Sequence, residues 1–479
     1  MRSEDSSTAA RGAVAALGLA ARLAPRLGLC LALGGLIAGC ASTADGYRRP
    51  EVATPVAFKE GALWQQANPQ AAEVGAEWWR LFKDPVLDGL QARLVVDNQT
   101  LRASQAQYRV AQAALARSQS ALFPTLGLSA AADRSRTRGG SAGDAVSLSG
   151  SASWEVDLWG RVAATVDSAG ASLQASQADV AAVRLSLQAT LVQTYHAMRA
   201  AEAQAALLET TLGSYQRSLA LTQNRYSAGV ASAADVAQAQ TQYKTTQAQL
   251  IEVRASRAQL EHALATLVGQ PATGLSLTVT GQLPAPPEAP LQVPSRLLER
   301  RPDIAAAERR VAAANAQIGV AQAAFFPALT LSASGGYRND TLSGLFSAPN
   351  LFWSIGPALA LALLDGGARQ AGIDSARAST DQATANYRQT VLSAFQEVED
   401  NLVLATSLQA QAEAQGEALV AARRALEIAN NQYQAGTVSY LNVVTAQAAA
   451  LSSERNLLDL RTRRLAAINQ LLKNLAGSW

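Results

Sequence analysis

The chain has 479 residues, of which 49% are hydrophobic, 16% charged and 5% aromatic, and its formal net charge is +3. This length and hydrophobic content are ample for a buried core, whereas so small a net charge argues against a nucleic-acid-binding protein. Alanine dominates the apolar fraction and is interspersed with Leu, Gln, Arg and Glu. Such a composition is typical of long helices that pack closely through small side chains.

The N-terminal residues 1–39 are predicted to be a lipoprotein signal peptide. Basic residues precede an apolar run over 27–38, which is too short for a membrane-spanning helix of about 20 residues. The run closes with IAGC, residues 37–40, in which small residues precede a cysteine that is cleaved and lipidated. We therefore expect a covalent lipid on Cys40, which would anchor the chain firmly, and no other cofactor. A plain secretory signal with an incidental cysteine is the alternative, and residues 40–82 are expected to form an extended N-terminal segment.

Sequence landmarks recur in the same order in the two halves of the chain. FPTLGLSA begins at Phe123 and FPALTLSA at Phe326, a spacing of 203 residues (326 minus 123). This duplication predicts repeat 1 over 83–282 and repeat 2 over 295–479. The segment 283–294, LPAPPEAPLQVP, is expected to be a stiff extended linker between them.

Each repeat contains two short, alternating segments rich in Gly and Ser, which predict a strand hairpin over 125–158 and another over 328–364. Lengths near ten residues fit transmembrane strands, and small soluble hairpins are the alternative. Pro357 is unfavourable within a strand unless that strand begins late. Four strands cannot close a barrel in lipid, because open edges leave backbone groups unpaired. The chain must then share a barrel with copies of itself. Three copies would give 12 strands, although the sequence alone does not choose three over two.

Tryptophans lie near the predicted strand ends, where they indicate either a membrane-interface belt or packing at the junction between strands and helices. They are Trp154, Trp159 and Trp353.

After each hairpin, a long stretch without proline predicts a helix far longer than the globular average, over 161–227 and 367–434. At 1.5 Å per residue the first would be about 100 Å long. Apolar residues recur along both at alternating spacings of four and three, which predicts a coiled-coil seam. Return helices are expected over 232–268 and 439–473.

The turns between the long and return helices have similar sequences, YSAGVASAADVAQAQ from Tyr226 and YQAGTVSYLNVVTAQ from Tyr433. A glycine and then a serine follow in each, residue types that favour a helix end and a helix N-cap respectively. Each turn is therefore predicted to be the tip of a helical hairpin. The residues concerned are Gly229, Ser232, Gly436 and Ser439.

Taken together, these features resemble the outer-membrane factor family of tripartite efflux systems, the TolC-like channels, and specifically its lipidated OprM/NodT branch. The resemblance is carried by the Cys40 motif, EWWRLFKDPVLDGL from Glu77, the two tips and the more specific RRPDI…FFP block from Arg300. It implies a mainly α fold with a β-barrel part and an internal two-fold repeat. In that fold a trimer shares a 12-stranded outer-membrane barrel, which a long coiled-coil α-helical barrel continues into the periplasm.

The resemblance also implies a function and partners. The chain would be the exit duct of a tripartite efflux pump, passively conducting drugs or other small molecules from the periplasm to the exterior. Its partners would be outer-membrane lipid, a periplasmic adaptor and an inner-membrane pump of the resistance-nodulation-division type, with no nucleic acid and no metal site.

By the same resemblance, the periplasmic gate maps onto the second tip, and Asp235, the first-tip residue that matches Asn442, is the remaining acidic candidate. The turn residues Gly229, Ser232, Gly436 and Ser439 would dock the adaptor. Family members commonly carry aspartate at one or both of the positions of Asn442 and Thr445, which are neutral here. Because an acidic ring would favour cations, closure is expected to depend more on Leu441 and on packing around Tyr433. Plain helix caps and coil packing of Leu441 are the alternatives. The gate candidates are Tyr226, Asp235, Tyr433, Leu441, Asn442 and Thr445.

Two other functional classes remain open from the residues alone. An enzyme is disfavoured, since no HExxH, GxSxG, P-loop or CxxC pattern occurs. His196 and His262 each stand alone on predicted helices, and the acidic group at 397–400 is best interpreted as a solvated helix face. A lipid-anchored periplasmic coiled-coil scaffold or adaptor without a pore would explain the helices and Cys40, but not the matching strand hairpins.

Overall fold

The computed structural model describes residues 46–52, 59, 77–136, 142–287 and 301–475. The expected signal peptide, the lipidation candidate Cys40 and most of the linker lie outside the described residues. Among those described, no helix combines the length and hydropathy needed to cross a lipid bilayer. The helices are α1 (Pro85–Asp97), α2 (Gln99–Ser120), α3 (Arg161–Ser227), α4 (Ala233–Leu267), α5 (Pro302–Ala323), α6 (Ala368–Gln434) and α7 (Tyr440–Leu475). The strands are β1 (Thr125–Arg136), β2 (Ala142–Val156), β3 (Ala328–Asn339) and β4 (Leu351–Ala360).

The chain divides into two compact units, and each draws on both sequence repeats. The strand unit contains Ala113–Ala171 and Ala312–Asp381, and the helical unit contains Arg49–Gln112, Ser172–Val311 and Gln382–Trp479. The compact units therefore do not coincide with the two repeats. The reason is that strands from both repeats hydrogen-bond into one sheet, while helices from both contribute to one core.

The strand unit contains one antiparallel sheet in the order β1-β2-β3-β4. Its register is continuous across all four strands, as in the row formed by Leu128, Gly150, Gly335 and Trp353. The last strand does not begin late, because β4 starts at Leu351 and runs through Pro357. Within this chain β4 is an outermost strand, the position where a residue without an N–H group is tolerated.

The helical unit has its main core around an aromatic segment that precedes α1. Residues Trp78–Phe82 form a 3-10 helix, so the predicted extended segment is not extended at this end. Trp78 and Trp79 are 2% and 5% exposed and pack with apolar residues of α1, α3, α4 and α7. Burying such large aromatic surfaces is a strong reason for the chain to fold back here.

His196, on α3, lies in the same region and is 3% exposed. Its ring is 4.6 Å from that of Phe82, and neither ring nitrogen has a hydrogen-bond partner. Burial lowers the pKa of His196 to about 4, because the cation would lose its hydration. The side chain is thus a packed, neutral imidazole, whereas His262 is exposed.

Candidate functional site

The sheet has two faces of different chemistry. Side chains alternate between the faces along each strand, and the register keeps most large apolar residues of the four strands on one face, with Phe352 as an exception. Leu126 and Leu128 on this face are 83% and 79% exposed. The apolar face consists of Leu126, Leu128, Ala130, Ala132, Val146, Leu148, Gly150, Ala152, Trp154, Val156, Leu329, Leu331, Ala333, Gly335, Tyr337, Leu351, Trp353, Ile355, Pro357 and Leu359.

The opposite face is lined by small side chains, most of them serine, glycine or alanine. Ser129 and Ser149 hydrogen-bond across it through their hydroxyl oxygens at 2.9 Å. We call this the serine face. Its central residues are Gly127, Ser129, Ala131, Ser147, Ser149, Ser151, Ser153, Thr330, Ser332, Ser334, Gly336, Phe352, Ser354, Gly356 and Ala358.

The apolar face is about as tall as the hydrocarbon part of a membrane barrel. From the row of Val156 to the row of Val146 is ten residues along β2 (156 minus 146), or about 34 Å along the strand at 3.4 Å per residue. A strand tilt of about 40° reduces this to a height of about 26 Å. Aromatic residues lie towards both ends of this face, Trp154 at one and Tyr337 with Trp353 at the other. Membrane barrels have an apolar band of about 25 Å between two aromatic girdles.

The tryptophans divide between the two predicted roles. Trp353 is 76% exposed on the apolar face, which fits a belt position. Trp159 instead stacks on Phe326 with ring centroids 4.7 Å apart, and its indole N–H donates to the carbonyl of Pro327 at 2.8 Å. Trp159 is therefore a packing residue at the junction between strands and helices.

The two outer edges of the sheet are open. Strands β1 and β4 each pair with one neighbour, and no further strand of the described chain covers their other edge. Edges of this kind present rows of unpaired N–H and C=O groups, which are costly in lipid and are satisfied by pairing with another strand.

The two helical tips share one backbone design. Tip 1 comprises residues 228–232, between α3 and α4, and tip 2 comprises 435–439, between α6 and α7. Gly229 and Gly436 have φ angles of +75° and +77°, the left-handed conformation that glycine adopts without strain. In both tips an N–H donates to the carbonyl five residues earlier, from Val230 at 2.8 Å and from Thr437 at 3.0 Å. These bonds end the long helices in the manner of a Schellman motif.

Tip 1 is followed by a reciprocal cap that involves the acidic gate candidate. The Asp235 N–H donates to the Ser232 hydroxyl at 3.2 Å, and the Ser232 N–H donates to the Asp235 carboxylate at 3.0 Å. This capping box uses the carboxylate locally at the start of α4. At tip 2, the N–H of Asn442 donates to the main-chain carbonyl of Ser439 at 3.2 Å.

Tyr433 lies inside the tip region, where Arg225 of the other hairpin holds it. The Tyr433 side chain is 6% exposed and lies 5.2 Å from the ring of Tyr440. The Arg225 guanidinium stands 4.7 Å over the Tyr433 ring and donates to the Tyr433 carbonyl at 3.0 Å and the Gln434 carbonyl at 3.4 Å. Tyr440 in turn contacts α3, because its hydroxyl is 3.1 Å from the Ser218 hydroxyl. Burial raises the pKa of Tyr440. The two hairpins are thus tied together through Tyr433 and Tyr440.

Sequence reasoning missed Arg225. The position that matches it in repeat 2 is Gln432 (225 plus 207, the spacing of Tyr226 and Tyr433). A charged residue in only one copy of a duplicated motif is a signal that could have identified it.

The other gate candidates lie on the surface of the chain. Tyr226 is 52% and Leu441 54% exposed, and Asn442 and Thr445 are exposed as well. The four docking candidates, Gly229, Ser232, Gly436 and Ser439, are also exposed. Tyr433 is therefore part of the packing within one chain, whereas Leu441 is free to contact another molecule.

Comparison with known proteins gives consistent results. A family model described as outer membrane efflux protein matches residues 91–270 and 293–477. The probable efflux pump outer membrane protein TtgC of Pseudomonas putida is 31% identical over 473 residues, covering 94% of this chain and 95% of TtgC. The cation efflux system protein CusC of Escherichia coli is 31% identical over 458 residues, covering 95% of this chain and 98% of CusC. Among solved structures, that of the outer-membrane channel OprN superposes with a TM-score of 0.84 at 29% identity, covering 92% of this chain and 100% of OprN.

Proposed function

This chain belongs to the outer membrane efflux protein family and is an outer-membrane efflux channel of the tripartite type, and we propose that three copies of it build one passive exit duct. In this duct, each copy contributes its four strands to a shared barrel of 12 strands (three times four). Small molecules delivered from the periplasmic side pass through to the exterior. The chain itself supplies a conduit and carries out no catalytic step.

The two-faced sheet with open edges is the observation that carries this proposal. An apolar face of membrane height belongs against lipid, and the serine face then lines the lumen. A single chain cannot be stable in the membrane in this arrangement, because the free edges of β1 and β4 would remain unpaired in the hydrocarbon. Joining β4 of one copy to β1 of the next removes every edge. A pore-free periplasmic scaffold would leave the exposed apolar face without a purpose.

We place the closed end of the duct at the helical tips. Tip 1 and tip 2 of three chains would supply six hairpin ends, and the exposed Leu441 would contact its counterparts there. Tyr433, held by Arg225 within each chain, would fix the geometry of that contact. Opening would then require a change in helix packing rather than titration of an acidic ring, since Asp235 is engaged in its capping box.

The proposed partners follow from membership in a tripartite assembly. The exposed turn residues Gly229, Ser232, Gly436 and Ser439 would dock a periplasmic adaptor, which links the channel to an inner-membrane pump of the resistance-nodulation-division type. A lipid on Cys40 would anchor each chain in the outer membrane beside the barrel.

Cross-linking between strand edges tests the shared barrel. Within one chain β1 and β4 are separated by two strands, about 14 Å at 4.8 Å per strand, so cysteines on them cannot form an internal disulfide. Full-length protein with Ser129→Cys on β1 would be combined in turn with Ser354→Cys, Gly356→Cys or Ala358→Cys on β4. Oxidation of one pair should give dimers and trimers but nothing larger, and unoxidised protein should conduct ions in planar bilayers. Absence of cross-links with all three pairs, or ladders beyond the trimer, would contradict the proposal.

A further inference from the structure

The β3–β4 loop, residues 340–350, joins the two strands at the end of the sheet opposite to α5 and α6. It carries a single charged residue, Asp340. Leu345 is 3% exposed, whereas Leu342 and Phe346 are 74% and 66% exposed. A loop with little charge therefore presents apolar side chains at its surface.

Hydrogen bonds from asparagines at both ends give this loop a defined shape. The Asn339 amide donates to the carbonyls of Thr341 and Ser343 at 3.0 and 3.1 Å. The Asn350 amide donates to the Gly344 carbonyl at 2.9 Å. Because carbonyls that are paired within the loop need fewer waters, the loop can lie in the poorly hydrated border of a membrane at little cost.

Phe346 leans against the apolar face of the sheet. Its ring centroid is 5.4 Å from that of Tyr337 at an interplanar angle of 72°, which is an edge-to-face contact. Tyr337 lies on the apolar face, in one row with Leu148 and Leu351. The loop therefore folds towards the apolar side of the sheet and adds the ring of Phe346 to that face.

We propose that Phe346 binds lipid of the outer leaflet, at the level where acyl chains meet headgroups. The proposal rests on the function above, in which the apolar face lies against lipid and the helices lie in the periplasm. The β3–β4 loop is then on the exterior side, and Tyr337 belongs to the outer aromatic girdle. Phe346 is continuous with this girdle, and two-thirds of its side chain remains to be covered.

Lipid is favoured over another copy of this chain as the occupant. Copies that share a barrel join edge to edge, so they lie beside the sheet and not over its apolar face. Tyr337 is on β3, which already pairs with β2 and β4. Acyl chains can therefore cover Phe346 without any contact between copies. A loop held against lipid in this way also stays clear of the lumen, which is on the serine face.

Quenching of a fluorescent label tests the proposal in the full-length protein, reconstituted in phosphatidylcholine vesicles. Phe346→Cys would carry a bimane label, and the lipid would carry a nitroxide near the glycerol end of one acyl chain. The controls are neighbours on opposite faces of β4, Trp353→Cys on the apolar face and Ser354→Cys on the serine face. Wild-type protein treated in the same way gives the background labelling.

The label at position 346 should behave like the label at position 353. Both should be quenched by the lipid nitroxide and protected from iodide in the water, whereas the label at position 354 should show the reverse. A Phe346 that only packs on Tyr337 in water would give a label that iodide quenches and lipid does not, and the proposal would be wrong. Protection from both quenchers would also overturn it, because a protein contact would then cover Phe346.

Phe346→Trp repeats the test without a label that could displace the loop. Tryptophan keeps an aromatic ring against Tyr337, and its emission is the difference between the variant and the wild type. Brominated lipid should quench this difference, and quenching by iodide alone would contradict the proposal.

The label at position 353 keeps this test separate from the channel assignment. If lipid quenches the label at 353 but not the label at 346, the loop proposal fails and the channel stands. If lipid does not quench the label at 353, the apolar face does not lie against lipid and the proposed duct itself fails.

Discussion

Arg225 provides the sharpest test of how the tips are held together. Arg225→Gln removes a charge-assisted hydrogen bond of 3.0 Å to the Tyr433 carbonyl and a cation–π contact of 4.7 Å to its ring. Because the guanidinium is only partly buried, we take the low end of both contributions, which sums to about 2 kcal/mol. Glutamine is the residue at the matching position of repeat 2, so the substitution should not disturb the helix itself.

Hydrogen–deuterium exchange measures this effect where it should occur. A loss of about 2 kcal/mol would raise the local opening equilibrium roughly 30-fold, so amides of residues 433–445 should exchange faster by that factor. Resting conductance in planar bilayers should rise as well. Arg217→Gln, an exposed arginine two turns earlier on α3, is the matched control and should change neither readout. Unaltered exchange at tip 2 in Arg225→Gln would show that Tyr433 is held by packing alone.

Three further predictions concern single side chains. Leu441→Ala should raise resting conductance with little loss of stability, since Leu441 is 54% exposed. Val420→Ala, which alters another exposed residue on a long helix, is the control. An unchanged conductance in Leu441→Ala would exclude Leu441 from the gate. His196 has a pKa of about 4 in the folded chain and 6.5 in the unfolded chain, so between these pH values the unfolded chain binds more protons. The free energy of unfolding should therefore fall by about 3 kcal/mol as the pH drops from 7 to 4. Denaturant unfolding in detergent should show this pH dependence in the wild type and a shallower one in His196→Phe. Gly269→Ala should destabilise the helical unit by about 3 kcal/mol, because Gly269 has a φ angle of +72° and a Cβ there would be 2.3 Å from the Asp97 carbonyl oxygen. Gly274→Ala is the control and should be nearly neutral in the same unfolding assay, because the nearest atoms to a Cβ there are 3.5 Å away, an ordinary van der Waals contact.

The long helices were predictable because their signals are local. No proline interrupts α3, which spans Arg161–Ser227 as the sequence suggested, and α6 begins at Ala368, one residue after the expected start. Glycines at both tips and Ser232 before α4 act as their residue types imply. The alternation of apolar and small residues along the strands likewise determines which face each side chain occupies.

Features that depend on long-range contacts were not predictable from local patterns. Trp78 and Trp79 fold back because a core accepts them to which α1 and three helices distant in sequence, α3, α4 and α7, contribute. Pro357 lies inside β4 rather than ahead of it, a placement that local patterns do not predict because proline is disfavoured within a strand. Arg225 reaches a carbonyl 208 residues further along the chain, and only the comparison of the two repeats hints at its role.

The open edges of β1 and β4 also bear on how such a protein is made. In the proposed trimer, a newly exported chain would present two unpaired strand edges and an exposed apolar face until it contacts other copies. Its correct maturation would then depend on the rate of that encounter as well as on its own fold. Substitutions that slow this association would cause precipitation or proteolysis of the single chains at low expression levels, even where the assembled channel would conduct normally.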